Sequence, residues 1–347
     1  MSSPVYVCYL DASKAFDRIN HWCLFEKLLK RNVPILAVRL LCTWYSSQLF
    51  TVQWGLNVSS PFSVSNGVRQ GGILSPSLFN VYIDDLSVGL SKLRIGCNFN
   101  GVFVNHLVYA DDTVLLAPAP SALQKLIDYC GTFAAENDIF YNLKKTNCMC
   151  VRPKGLKDLY FPRLYLNGVV VKVVSKEKYL GAFMVDDFSD DDDIMRQTRS
   201  IYAHGNVLLR NFKNCCEELK ASLFRTFCNG LYCSALWASF KSKSFCKVKI
   251  AYNNVFRLLL GVSRKTSVSK CMLDLKVDPF PVIIRKYIAS FIQRLGSCEN
   301  NIVSSLYNCT DFYQSSLNRV WLKEAYSREP TALKYRLSLI SVMFSIL

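Results

Sequence analysis

The stretch LVYADDTVLLA, residues 107–117, decides the reading. Two short apolar runs, 107–110 and 113–117, flank Asp111 and Asp112. Runs of this kind split by two turn-forming residues read as a β-hairpin. Upstream, VYVCYLD, residues 5–11, is a continuous apolar run closed by Asp11, which reads as a buried strand ending on a carboxylate. If the strand and the hairpin are neighbours in one sheet, Asp11, Asp111 and Asp112 converge at one sheet edge. Clustered hard oxygen ligands suit Mg²⁺, which takes one or two carboxylates together with substrate phosphates. Two such ions drive in-line phosphoryl transfer. Singly, an Asp-Asp pair at a turn or an Asp ending a strand is ordinary local chemistry; the three together, with their flanks, point to a catalytic centre.

Two helices are expected after the first strand. Leu24, Leu28 and Leu29 line one face of the first; Pro34 opens the second, with Leu36, Leu40 and Leu41 on its apolar side. Residues 48–64 read as a pair of short strands. A glycine-rich loop, NGVRQGG at 66–72, leads into a helix with Ser75 as N-cap and Pro76 at its first position. Leu78, Phe79, Tyr82, Ile83 and Leu86 form its buried stripe. An amphipathic helix over 121–136, a strand over 148–151 and a hairpin over 165–174 turning at Asn167-Gly168 follow. From Ile194 onward the pattern is helical, with Leu219, Leu223, Phe227 and Leu231 at a spacing of four. The change places a domain boundary near residue 185. The acidic residues 190–193 there read as a solvated loop feeding a helix N-terminus, where the helix dipole favours negative charge.

Of the 347 residues 51% are hydrophobic, enough for one large or two medium domains, and no repeat or low-complexity segment interrupts them. The formal net charge is +16, and residues 195–286 carry 17 Lys and Arg against Glu217, Glu218, Asp274 and Asp278, a net +13. Such a balance favours a polyanionic partner. A membrane surface also fits the charge, but no basic amphipathic helix stands out, and no apolar run reaches the roughly 18–20 residues of a span. The nearest, residues 337–347, reads as a core helix or a stump. The 15 cysteines are odd in number and no secretory signal opens the chain. They read as reduced thiols in an intracellular protein, nuclear or cytoplasmic and not secreted. No Cys-x-x-Cys spacing or His partner suggests zinc.

Five segments carry a family resemblance. VCYLDASKAFD, residues 7–17, resembles the first palm motif of reverse transcriptases of LINE-type, non-LTR retrotransposons. NGVRQGGILSPSLFN, residues 66–80, resembles the second, and YADD, residues 109–112, the third, the family's metal-binding box. NLKKT, residues 142–146, resembles the fourth, and Tyr179-Leu180-Gly181 the fifth, a primer-holding hairpin. The resemblance implies an α+β fold. A right-hand polymerase palm, an antiparallel sheet with helices on one face, would occupy residues 1–185, with a residual fingers segment at about 22–64. A basic, all-helical thumb over 186–290 and a helical extension over 291–347 would follow.

It implies an RNA-directed DNA polymerase that uses an RNA template, a DNA primer, deoxynucleoside triphosphates and two Mg²⁺ ions. Asp11 and Asp111 would be the main metal ligands, the Ala12 carbonyl would assist, and Asp112 would support them. Phe16 would press on the sugar and reject a 2′-hydroxyl. Gln70 and Gly71 would lie against the incoming nucleotide and template. Lys145, with Lys144 as its positional rival, would be the general acid for the leaving pyrophosphate. Arg196 and Arg199, three apart on one helix face, would contact phosphates. Only ten residues precede Asp11, so the expectation is an element lacking most of its fingers, with a non-catalytic nucleic-acid-binding remnant as the alternative. An RNA-dependent RNA polymerase shares the carboxylate geometry but is disfavoured by Phe16.

Overall fold

The computed structural model describes residues 3–99, 101–152, 161–263 and 265–325; the apolar stretch 337–347 lies outside them. The chain forms two compact units that divide between Glu177 and Lys178.

The first unit is built on a five-stranded sheet ordered Lys172–Val173, Asn147–Val151, Val5–Asp11, Asp112–Ala117, His106–Tyr109. The sheet is not wholly antiparallel as expected: Lys172–Val173 joins Asn147–Val151 in parallel, while the other pairings are antiparallel. Val5–Asp11 is central, which is why its sequence is apolar on both faces. Side chains alternate along it. Tyr6, Cys8 and Leu10 belong to the main core with Leu115, Ala117 and Cys148 of the neighbouring strands. Val7, Val114 and Met149 are buried on the opposite side. The same alternation puts Asp11 on the face away from that core.

Helices α1 (His21–Lys30), α2 (Ile35–Ser46), α3 (Ser75–Lys92) and α4 (Pro120–Glu136) supply the rest of this core. In α3, Leu78, Phe79, Tyr82, Ile83, Leu86 and Leu90 are buried at helical spacing, and in α4 Leu123, Leu126, Ile127 and Cys130 are. Asn20, absent from the sequence expectations, caps α1 by accepting from the Trp22 and Cys23 amides. Ser75 does not cap α3; its hydroxyl donates to the Arg69 carbonyl, folding the glycine-rich loop back on the helix start. Leu29, Leu36 and Leu40 are exposed, and α2 instead buries Val38 and Tyr45. That helix is apolar nearly all round, so periodicity alone does not choose its inner face.

The division falls within the first strand of the hairpin Lys176–Tyr179 with Ala182–Val185, and the second unit continues as a helical body: α5 (Asp191–Phe212), α6 (Glu217–Cys228), α7 (Ser242–Leu260), α8 (Val268–Asp274) and α9 (Phe280–Gly296), followed by shorter helices. Phe224, Val248, Tyr252, Phe256, Met272 and Phe280 lie at the centre of its core. The division precedes the expected residue 185 because the Phe183 amide donates to Asp193 of α5, tying the hairpin to the helices. Nor do residues beyond 290 stand apart. Helix α9 runs through that point, and Trp321 is buried in the same core, its indole N–H donating to the Ala235 carbonyl at 2.5 Å. Among the described residues no helix is long and apolar enough to cross a membrane.

Candidate active site

Asp11 and Asp112 sit opposite one another in the antiparallel pairing of Val5–Asp11 with Asp112–Ala117. Leu10 and its partner Thr113 are buried, so the next residue on each strand, Asp11 and Asp112, turns to the other face. Asp112 also pairs with Tyr109, which makes Ala110–Asp111 the two-residue turn. The turn therefore lies one residue earlier than the sequence suggested, and Asp112 is a strand residue. Ala110 takes a left-handed φ of 52° and Lys14 one of 51°. Non-glycine residues rarely adopt that region, and here two of them flank the carboxylates.

The segment 140–142 runs antiparallel along residues 11–13. The Asn142 amide donates to the Asp11 carbonyl at 2.7 Å and the Ser13 amide to the Phe140 carbonyl at 2.7 Å, with Ala12 bridged to Tyr141. This pairing uses the carbonyl of Asp11 and leaves that of Ala12 out of the ladder. Asn142 then starts a tight turn whose carbonyl accepts from the Lys145 and Thr146 amides at 3.0 and 2.8 Å. The turn delivers Lys145, whose Nζ lies 3.6 Å from Asp11 Oδ1. The Lys144 amide is taken by the Asn142 side chain. The side chains of Lys145 and Asp11 are 68% and 31% exposed, so their ion pair is open to water.

Burial first, then the charges of Asp111 and Asp11, push the Asp112 carboxyl above the ordinary aspartate range, with Lys145 opposing them. A carboxylate whose proton affinity is raised by carboxylate neighbours belongs to a donor set short of positive charge. Among the described residues no three His, Cys, Asp or Glu groups close on a point as a ready-made cage. One or two carboxylates open to water and to substrate phosphates are what Mg²⁺ accepts, so the residues present fit that ion.

Phe16, in the short 3-10 turn Ala15–Asp17, stacks on Phe79 of α3 with ring centroids 4.6 Å apart. Gly67 takes φ +89°, and a Cβ there would lie 2.7 Å from the Asp17 carbonyl oxygen, so the loop requires glycine on two counts. The loop is fixed by the Gly67 amide on the Ile19 carbonyl at 2.8 Å and by His21 Nε2 against the Gly67 carbonyl at 2.7 Å. Gln70 is exposed and donates to Asp17 Oδ1 at 3.1 Å, while Gly71, at φ +82°, faces open space. The Asp17 and His21 contacts were not foreseen. Asp17 closes a quoted motif and so carried a signal; His21 carried none.

In the second unit Leu180 and Gly181, both at positive φ, turn the hairpin after Tyr179. Such a pair of left-handed residues matches the right-handed twist of the flanking strands. Arg199 is exposed on α5, whereas the Arg196 Nε donates to Asp193 at 2.7 Å. Asp193 is 3% exposed and also accepts from the Trp237 indole at 2.9 Å; Asp190 accepts from the Ala238 and Ser239 amides, each at 2.7 Å. The acidic run does begin a helix, but at least three of its members are structural acceptors rather than solvated charges, Asp191 taking the Lys241 amide at 2.9 Å. Apart from Arg196 and Phe183, the donors they satisfy, at Trp237, Ala238, Ser239 and Lys241, lie 44 to 50 residues away in sequence, with no local pattern to announce them.

A family model described as reverse transcriptase (RNA-dependent DNA polymerase) matches residues 2–184. Over 150 residues the chain is 32% identical to the Pol polyprotein of the type-2 retrotransposable element R2DM of Drosophila melanogaster, covering 43% of this chain and 14% of that protein. Over 330 residues it is 24% identical to the probable RNA-directed DNA polymerase of the Drosophila melanogaster transposon X-element, covering 93% of this chain and 35% of that protein. The RNA-directed DNA polymerase of the mobile element jockey of Drosophila funebris is 22% identical over 307 residues, with 86% and 33% covered. The chain thus spans about a third or less of these relatives. Among solved structures, telomerase from Candida tropicalis with the TWJ fragment of telomeric RNA aligns at a TM-score of 0.45 and 13% identity, covering 96% of this chain and 48% of that one. With the family model matched over more than half its length, this chain belongs to the reverse transcriptase family.

Proposed function

We propose that the chain is the palm and thumb portion of an RNA-directed DNA polymerase of a non-LTR retrotransposon, extending a DNA primer on an RNA template. The observation that carries the reading is the register of Asp11 against Asp112 on the sheet face away from the core, with Asp111 in the adjoining turn and Lys145 at 3.6 Å from Asp11. Mg²⁺, in a pair, would supply activation of the primer hydroxyl and neutralisation of the triphosphate. Asp11 and Asp111 are the main ligands in this reading, with the Ala12 carbonyl assisting and Asp112 supporting. Lys145, an exposed cation beside them, protonates the leaving pyrophosphate. Phe16, braced by Phe79, lies under the sugar and excludes a 2′-hydroxyl; Gln70 and Gly71 border the nucleotide. The Tyr179–Gly181 turn holds the primer end, and the net +13 of residues 195–286, Arg199 among them, grips phosphates.

Primer extension by the purified chain on an RNA template–DNA primer, with Mg²⁺ and deoxynucleotides, tests the reading. Extension abolished by Asp111→Ala supports it. Extension that survives Asp111→Ala removes the catalytic assignment. Salt-sensitive duplex binding without extension leaves a nucleic-acid-binding remnant instead.

A further inference from the structure

We propose that the cleft between α4 and the hairpin of Tyr165–Leu166 with Val169–Val170 docks an extended segment of a partner protein that carries two cationic side chains four residues apart. The inference goes beyond the polymerase reading and does not depend on it. The cleft has a volume of ≈590 Å³ and is lined by Asp128, Thr132, Ala135 and Glu136 of α4 and by Tyr165 and Asn167 of the hairpin, among others.

Its charge is the reverse of the chain's. The protein carries a net +16, yet the charged residues lining this cleft are Asp128 and Glu136, both exposed, and no cation joins them. Lys125 is the one cation of α4, and it does not line the cleft. Helix α4 ends on Glu136 with no basic residue in its last turn. The dipole leaves negative potential at such an end, which favours a cation placed there. Tyr165 is 43% exposed and supplies an aromatic wall, a surface that attracts an ammonium or guanidinium group. The same two carboxylates repel a phosphate-bearing strand, so the cleft favours a basic polypeptide over nucleic acid.

The spacing selects the segment. Asp128 and Glu136 stand eight residues apart in α4, about 12 Å along the helix axis. An extended chain advances about 3.3 Å per residue and returns its side chains to the same side at even spacings, so residues four apart lie about 13 Å apart on one side. The walls are formed in advance. Gln124 holds Tyr165 at both backbone groups: its Nε2 donates to the Tyr165 carbonyl at 2.7 Å, and its Oε1 accepts from the Tyr165 amide at 2.8 Å. At the turn, a Cβ on Gly131 would lie 2.6 Å from Asn167 Oδ1, so glycine lets the hairpin seat on the helix. Little ordering of the cleft is then left to oppose binding.

The test uses the full chain and two fluorescence-labelled nonapeptides of identical composition, each with two arginines and a central leucine. In one the arginines lie four residues apart; in the other they are adjacent. Fluorescence anisotropy at low salt is expected to show tighter binding of the spaced peptide, weakened about threefold by Glu136→Gln and lost in Ala135→Lys, which sets a cation into the cleft. Both positions are exposed, and thermal melts matching the parent's establish that the variants are folded. Equal affinity for the two peptides overturns the proposal, as does undetectable binding of the spaced peptide or binding unchanged in either variant.

Discussion

Asp11 and Asp112 are directly opposed partners in an antiparallel pair, two carboxylates facing one another across the central strands. Like charges so placed destabilise a sheet by roughly 0.2–1 kcal/mol. The arrangement is unfavourable to the fold and useful to a cation-dependent site. Asp112→Asn is therefore expected to raise folding stability by a few tenths of a kcal/mol, on the order of that penalty, while weakening Mg²⁺-dependent extension. Chemical denaturation read beside primer extension checks both halves; a variant that loses stability argues that Asp112 is held by contacts rather than opposed by charge.

The raised proton affinity of Asp112 has a sign. Burial, then Asp111 and Asp11, favour its neutral form in the folded chain. Its contribution to stability is present at and below the ordinary aspartate pKa of about 4 and is lost as pH rises through the higher folded value. Asp111→Asn removes one of the raising charges and is expected to shift the Asp112 titration downward. Carbon-detected NMR of labelled aspartate in the Mg²⁺-free chain reads this directly. An unchanged titration would mean that burial and Asp11 set it without Asp111.

Lys145 separates catalysis from folding. Its ion pair with Asp11 is largely solvated, and exposed pairs contribute about 0–1 kcal/mol. Lys145→Met is expected to leave stability within that margin and to slow single-nucleotide incorporation by about 10²-fold or more, the lower range for a lost general acid. Lys144→Met is expected to change the rate little. Equal losses from the two substitutions would indicate a shared electrostatic role instead of proton transfer by one of them.

How much of this was legible beforehand varies with the range of the interactions. The Val5–Asp11 strand, the Asp111–Asp112 hairpin, the helix carrying Leu78 to Leu90 and the turn at Asn167-Gly168 all rest on periodicity and turn chemistry within a few residues, and each is found close to where it was expected. The turn at Ala110–Asp111 is offset by one residue because the cross-strand partners Tyr109 and Asp11 claim Asp112. The inner face of α2, the Ser75–Arg69 bond and the hold of Asp193 on Phe183, Arg196 and Trp237 were not readable. Except for the Arg196–Asp193 pair, which is i,i+3 on one helix, each depends on contacts outside the local helical or hairpin pattern.

Asp193 and Arg199, on the same helix, are expected to behave as opposites. Asp193 satisfies the Trp237 indole, the Arg196 guanidinium and the Phe183 amide from a buried position. Removing one member of such a group leaves the others unpaired, at a cost of about 3 kcal/mol. Asp193→Ala is expected to lower the melting temperature strongly and to loosen the hairpin that carries Tyr179 to Gly181. Arg199→Ala, at an exposed position, is expected to stay within about 0.5 kcal/mol of the parent and to reduce the salt dependence of duplex binding by about one phosphate contact. Thermal melts with a salt titration of binding distinguish the two; a stable Asp193→Ala would show that the hairpin is held by its own turn.

Phe16 presents one more trade between packing and selection. Its ring stacks on Phe79 at 4.6 Å and 15°, and such a pair contributes about 0.5–1.5 kcal/mol beyond the area it buries. Phe16→Ala is expected to destabilise the first unit by at least that margin, through lost stacking and lost burial together. If the ring also acts as the barrier to a 2′-hydroxyl, the same substitution raises incorporation of ribonucleotides relative to deoxynucleotides. Phe16→Leu retains bulk without the stacked ring, so it is expected to recover discrimination more fully than stability. Competition between paired ribo- and deoxynucleotides, scored as the ratio of kcat/KM, is the deciding readout. A ratio unchanged in Phe16→Ala, with destabilisation present, makes Phe16 a brace for α3 and moves sugar selection elsewhere in the nucleotide site.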